Sequence, residues 1–326
     1  MNSIVIVLFH PKWCHLFETL KVLRGNIRVI LVDNTPNTSI PSILLADISS
    51  LSFEVIYVAL KQNMGIAYAQ NVGVRIARCI GNTMNVIFFD QDSDICEDYI
   101  HKITCEFVEL KKVIPELATL GPLVTEKRSG DKYRIKGLRI SDTVYVVDNI
   151  ISSGSVVPLE LFDNELIGPY KEDLFIDLVD SEWCWRANYK GYKCAITTNV
   201  ILPHQVGDSY IKLPGISFII SKPVRNYYQV RNTLIVAGLK HVKIYHKINL
   251  LVHQLLYFCL TPFLKVKNKR EIMKNMLRGG RDAFKRRAES DLNVEVIPCI
   301  YISGSCEVKE SINHEFGTNA EIKNVL

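Results

Sequence analysis

Apolar and polar positions fall into blocks along the first third of the chain. Residues 4–9 and 27–32 are apolar, β-branched runs with a helix-length segment between them, and the second run stops at Asp33-Asn34-Thr35-Pro36. That pattern predicts strand, helix, strand and turn. Residues 53–59 predict a third strand, 66–80 a helix of small residues, and 84–89 a fourth strand ending at Asp90-Gln91-Asp92-Ser93. Strands alternating with helices predict a parallel sheet covered on both faces. Ligands in such sheets gather beyond the carboxyl ends of the strands, so His10, Asp33, Asp90 and Asp92 are expected along one rim.

After Leu120-Gly121-Pro122 the chain turns polar and hairpin-like through Arg139, then gives a strand at 143–149 and a small-residue turn, Ser152-Ser153-Gly154-Ser155. Residues 172–192 carry acidic groups followed by Trp183, Trp185 and Arg186, and Val200-Ile201-Leu202 leads to Pro203-His204. From 227 to 264 the pattern is helical and strongly apolar, and 249–264 is almost uncharged. No internal repeat is visible.

Composition narrows the class. Of 326 residues 48% are hydrophobic and 22% charged, which excludes wholesale disorder and fits one large α/β domain with an appendage. The expected division is a main domain at 1–215, a helical region at 216–289 that is first apolar and then basic, and a tail at 290–326 without a functional signal. A net charge of +5 is mild for a nucleic-acid binder, so no nucleic-acid partner is expected. The excess sits at 265–287, where ten basic residues face only Glu271 and Asp282. An apolar run of 16 residues at 249–264 falls short of the roughly 20 needed to span a bilayer, and followed by that basic run it predicts peripheral attachment to an anionic membrane surface. A buried helix with a solvated basic face is the alternative. Nine cysteines without a C-x-x-C pair fit a reducing compartment, the cytoplasm. The start of the chain lacks a basic segment before its short apolar run and reads as a first strand, not a signal peptide.

Three segments carry candidate chemistry. Asp90 and Asp92, two residues apart past an apolar strand, can share a hard divalent cation and hold it against a diphosphate, although acidic turns are common. Asn63-Met64-Gly65-Ile66-Ala67-Tyr68-Ala69-Gln70-Asn71-Val72-Gly73 opens a helix with small residues and short amides, which suits close backbone approach to a ligand, although such residues usually serve close helix-to-sheet contact. In the third segment, 175–187, a helix would make Asp177 and Asp180 neighbours, about 300° apart, while Asp180 and Glu182, about 200° apart, point away from each other. Glu182 and Arg186 stand at i, i+4, which predicts a surface pair and leaves Asp180 as the candidate base. Packing is the larger expectation for Trp183 and Trp185.

Taken in this order, with Val32-Asp33-Asn34, Ser153-Gly154-Ser155 and the D-x-x-D-x-E-W-C-x-R-A segment, the chain resembles the inverting family 2 glycosyltransferases of the GT-A fold over residues 4–240. Within them it looks most like bacterial rhamnosyltransferases of O-antigen and cell-wall polysaccharide assembly. The resemblance implies a mixed, mainly parallel sheet and a nucleotide-sugar donor, dTDP-rhamnose, or a UDP-sugar as the alternative. It implies donor contacts from His10, Asp33 (to the nucleobase), Asn63, Gly65, Asn71, Asp90 and Gln91, and acceptor-side positions at Ser153, Gly154 and Trp183. It implies Mn²⁺ or Mg²⁺ held by Asp90, Asp92 and His204, with Asp180 deprotonating a lipid-linked saccharide at the inner face of the cell membrane. Where many members carry Arg the chain has Gln70, so no basic diphosphate contact is expected there. A nucleotidyltransferase, or a non-catalytic scaffold on a transferase domain, are the rival readings.

Overall fold

The computed structural model describes residues 1–38, 48, 50–127, 130–204, 209–213, 216–220, 222–264, 266–286, 299–303 and 321–325. Gln205-Val206-Gly207, Lys265 and Arg287, with most of the expected tail, lie outside the described residues. The first 113 residues fold as β1 (Asn2–Leu8), α1 (Trp13–Val22), β2 (Ile27–Asp33), β3 (Glu54–Ala59), α2 (Ile66–Ile80), β4 (Asn85–Asp90) and α3 (Tyr99–Val113). There follow β5 (Leu117–Glu126), β6 (Gly137–Arg139), β7 (Val144–Val147), β8 (Val156–Pro158), α4 (Val179–Tyr189) and β9 (Lys193–His204). The remainder comprises β10 (Ser209–Leu213), β11 (Ile216–Ile220), α5 (Pro223–Ala237), α6 (Ile244–Leu260), α7 (Lys269–Arg286), β12 (Cys299–Ser303) and β13 (Glu321–Val325).

Among the described residues one sheet runs β13-β12-β3-β2-β1-β4-β8-β5-β9-β7-β6, and β10 and β11 form a separate hairpin. β3, β2, β1 and β4 are mutually parallel, whereas β8 is antiparallel to β4 and to β5, and β7 to β9. The sheet is therefore mixed, with its parallel half where the strand-helix alternation lies. Side chains leave a strand on alternate faces, so β1 sends Ile4, Ile6 and Leu8 to the layer under α1 and α3, and Val5 to the layer under α2 and α4. Gly73 lets α2 lie directly on Val5, where a Cβ would collide with the valine methyls.

The boundary drawn at 215/216 falls inside the β10–β11 hairpin region, since Ile216 opens β11 and the helices begin only at Pro223. The tail also contributes sheet: β12 pairs antiparallel with the edge strand β3, and β13 pairs parallel with β12. A sequence pattern shows that a strand exists but not which edge it completes. Among the described residues no helix is long and apolar enough to cross a membrane.

Candidate active site

The parallel strands set one rim by register. Leu8 lies opposite Asp33 and Val7 opposite Asp90, so the ends of β1, β2 and β4 are level. The rim is tied together by its own polar groups. Asp33 is fully buried; its Oδ1 accepts the Thr35 N–H at 2.9 Å and its Oδ2 the Tyr57 hydroxyl at 2.8 Å. Thr35 Oγ1 accepts the N–H of His10 at 2.7 Å, and His10 itself stands exposed with a left-handed backbone (φ 48). Gln91 braces β1 against β4, accepting Phe9 N–H at 2.8 Å and donating to Phe9 O at 3.1 Å.

The N-terminus of α2 is locked to a distant loop. Asn34 donates to Asn63 Oδ1 at 2.9 Å and accepts from Met64 N at 2.7 Å, while Ile66 N donates to Phe175 O at 2.7 Å. Gly65 (φ +85) packs against the ring and carbonyl of Phe175, 2.6 Å from where its Cβ would be. The close approach that Gly65 allows is thus to the protein's own loop. Phe175, Asp177 and Leu178 all have positive φ, an unfavourable conformation for bulky residues. α5 supplies what holds them there. Asn232 Nδ2 donates to the carbonyls of Leu174, Ile176 and Asp177, Arg231 reaches Asp173 and Leu174, and Tyr228 stacks on Phe175 at 4.7 Å. Arg225 grips the Asp177 carboxylate with contacts of 2.6–3.0 Å.

This loop aims the first turn of α4. The helix starts at Val179, so Asp177 is not helical and the expected 300° relation to Asp180 does not apply. The carboxylates still sense each other. Desolvation raises the Asp180 carboxyl above its ordinary range, backbone contacts from Ser181 and Ser152 pull it down, and the charges of Asp90 and Asp177 push it up further; the net shift is upward. Asp180 lines a small pocket with Thr119, Ile150, Ser152, Tyr170 and Trp183. A carboxylate with raised proton affinity beside a pocket is suited to taking a proton. Because Arg225 fixes Asp177 through a two-pronged contact that lysine cannot reproduce, Arg225→Lys should loosen the turn before Asp180. We expect turnover to fall on the order of 10²-fold, as misplacement near the chemistry does, with KM little changed; steady-state kinetics on both parameters checks this.

The acidic centre forms only in part as expected. His204, at the end of β9, brings Nδ1 to 3.6 Å from Asp90 Oδ2. Burial raises the Asp90 carboxyl, His204 lowers it, and the like charge of Asp92 raises it again, leaving it above the ordinary range. Asp92, however, is exposed, and no three His, Cys, Asp or Glu side chains converge among the described residues. A carboxylate and an imidazole fit a divalent cation that completes its shell with phosphate oxygens and water, and a cation would relieve the crowding of charge at Asp90.

Other expected site residues serve the framework in this structure. Asn71 is buried, donating to Tyr170 O and Glu172 Oε1 at 2.9 Å and accepting Tyr170 N–H at 2.9 Å. Ser153 is buried behind Asp90, with its Oγ 3.3 Å from Asp90 N, and Gly154 (φ 77) threads its backbone between Phe88 O and the Tyr99 hydroxyl. Trp183 is a core residue whose Nε1 donates to Gly168 O at 2.8 Å. Gln70, in place of a basic contact, donates to Ser152 Oγ at 3.2 Å. The expected surface pair is a correction: Glu182 is only 1% exposed and is held by Arg186 and by His241 Nε2 at 2.8 Å. Sequence spacing missed Arg225 and His241, which lie on or beside the C-terminal helices and have no local motif.

Comparisons agree with this architecture. Residues 3–144 match the family model "Glycosyl transferase family 2". The chain is 32% identical over 300 residues to "dTDP-rhamnosyl transferase RfbF" of Shigella flexneri, covering 87% of this chain and 97% of that protein. Solved structures share the fold. TarS 1–349 of S. aureus in complex with UDP-GlcNAc superposes with a TM-score of 0.54 at 12% identity, covering 84% of this chain and 79% of that one. GalNAc-T7 with UDP, GalNAc and Mn²⁺ gives 0.50 at 14% identity, covering 78% of this chain and 54% of that one. With a matching family model and a relative of this identity along nearly its whole length, the chain belongs to glycosyltransferase family 2 and is a glycosyltransferase.

Proposed function

We propose that the enzyme transfers L-rhamnose from dTDP-rhamnose, with inversion, to a hydroxyl of a lipid-linked saccharide in bacterial surface-polysaccharide synthesis, O-antigen or cell wall, at the cytoplasmic face of the membrane. The observation that carries the chemistry is the proximity of two carboxylates: Asp180, which lines a small pocket, feels the charge of Asp90, and Asp90 lies beside His204. The donor is supported by the activity named for the Shigella flexneri relative. Asp180 accepts the acceptor's O–H proton as that oxygen bonds to the anomeric carbon, and the bond from that carbon to the diphosphate oxygen breaks, its electron pair leaving with dTDP. The transition state has oxocarbenium character. Asp90 and His204, with Asp92 as the further candidate, would hold Mn²⁺ or Mg²⁺, which supplies charge neutralisation for the departing diphosphate.

Nucleotide release with dTDP-rhamnose, UDP-galactose, UDP-glucose and UDP-N-acetylglucosamine, measured with Mn²⁺ and with EDTA, tests both parts. Turnover is expected with dTDP-rhamnose alone, lost in EDTA and restored by Mn²⁺ or Mg²⁺. Full activity in EDTA would remove the metal assignment, and preference for a UDP-sugar would replace the donor.

A further inference from the structure

Surface helices ordinarily turn their apolar residues inward and polar ones outward, whereas α6 presents a second apolar arc outward. Ile244, Tyr245, Ile248, Val252, Leu255 and Leu256 are all exposed, Ile244 to 69% and Leu255 to 62%. At 100° per residue they occupy one arc of about 120°, with Asn249 at its margin. The inward side mixes polar and apolar residues: His246, Leu250, His253 and Gln254 are half-buried and Tyr257 is buried. His246 stacks on Trp185 at 4.6 Å with its Nε2 3.4 Å from Asp148 Oδ2, and Lys243 Nζ reaches Asp148 Oδ1 at 2.8 Å. The outward direction of the apolar face is therefore set by specific contacts on the opposite side.

α7 adds charge to the same unit. Tyr257 of α6, Leu264 of the connecting turn and Ile272 and Met276 of α7 share a small core, which joins the two helices, and Phe263 between them is 82% exposed. Arg270, Lys274, Arg278, Arg281 and Lys285 are exposed and step along α7 by four, four, three and four residues. They form a stripe about 80° wide, beside exposed Leu277 and Phe284 and against only Glu271 and Asp282 on that helix.

We propose that α6 and α7 form a membrane-docking face: α6 lies in the plane of an anionic bilayer with its outward side chains among the upper acyl chains, and the α7 stripe engages the headgroups. The inference rests on the reading of a lipid-linked acceptor and assigns the surface that would bring the cleft to it. An exposed apolar face of this extent calls for a cover, and a helix of this kind lies in an interface instead of crossing it. The cations decide between covers. A second copy docking through a shared face would bring like-charged stripes together, whereas anionic lipid brings opposite charge.

Vesicle flotation of the full chain tests the proposal, comparing phosphatidylcholine alone with phosphatidylcholine plus phosphatidylglycerol. Binding is expected only to the anionic vesicles. A triple variant Lys274→Gln, Arg281→Gln, Lys285→Gln should weaken it by about fivefold per cation removed, and Ile248→Ser with Leu255→Ser should abolish it. Both variants should retain the wild-type thermal midpoint and nucleotide release on a soluble acceptor, which separates failure of docking from failure of the glycosyltransfer reading. Equal binding to neutral vesicles, or binding unaffected by either variant, would overturn the proposal. So would a concentration-dependent dimer, seen by sedimentation, that Leu255→Ser dissolves.

Discussion

Asp180→Asn is expected to lower kcat by about 10²–10⁴, the range that a positioned general base contributes, while leaving donor Kd almost unchanged. Asparagine keeps the shape and can still accept the Ser181 N–H that Asp180 Oδ1 takes at 2.8 Å, so the first turn of α4 should persist. What disappears is proton acceptance. The pH dependence gives a second signature. Because burial first, and then the charges of Asp90 and Asp177, raise the Asp180 carboxyl, the acid limb of kcat should lie above the ordinary carboxylate value of 3.8. Activity then falls as pH drops through that raised value, and the limb should vanish from the residual activity of Asp180→Asn. Pre-steady-state turnover and calorimetric donor titration of both proteins decide the matter. A variant that turns over at the wild-type rate would show that another group takes the proton.

Glu182→Gln is expected to cost stability and spare the chemistry. Glu182 is buried, and its two oxygens meet Arg186 Nε at 3.0 Å, Arg186 Nη2 at 2.9 Å and His241 Nε2 at 2.8 Å. Arg186 goes on to donate to Ile167 O at 2.7 Å and Pro169 O at 2.8 Å, so the carboxylate anchors a network that joins α4 to the 167–169 loop. Removing one partner of a buried pair leaves an uncompensated charge and costs about 3–5 kcal/mol, far above an exposed i, i+4 pair. Denaturant unfolding should show that loss, with kcat per folded molecule unchanged. Desolvation raises the Glu182 carboxyl, but His241 and Arg186 outweigh it and hold it below the ordinary glutamate range. A depressed carboxyl contributes stability above its unfolded value that is lost as pH falls through the folded one. The gap between wild type and Glu182→Gln should therefore narrow on acidification below about 4.5.

The parts legible in the sequence are those that depend on neighbours a few residues away. Continuous apolar, β-branched runs specify β1, β2, β3 and β4, and a small-residue helical stretch specifies α2, because strand preference and helical periodicity are local properties of the chain. Once those strands are parallel, register alone levels Asp33 with Leu8 and Asp90 with Val7. The divergence of Asp180 and Glu182 likewise follows from two residue steps of helix, about 200°.

What lies between distant segments only the tertiary structure decided. Spacing shows that Glu182 can reach Arg186, but burial depends on the helix lying under His241 and the 167–169 loop. Asp177 meets Arg225 across 48 positions, and Asp90 meets His204 from the opposite half of the sheet. Of the tail strands, β12 pairs with β3 and β13 with β12, through backbone groups that carry no side-chain pattern to specify an edge. α6 is the clearest case. Its sequence is apolar around most of the helix, so periodicity cannot say which side meets the protein; the contacts of His246 and Lys243 with Asp148 turn the apolar arc outward. Local spacing determines which residues share a face, and only packing against the rest of the chain determines what that face touches.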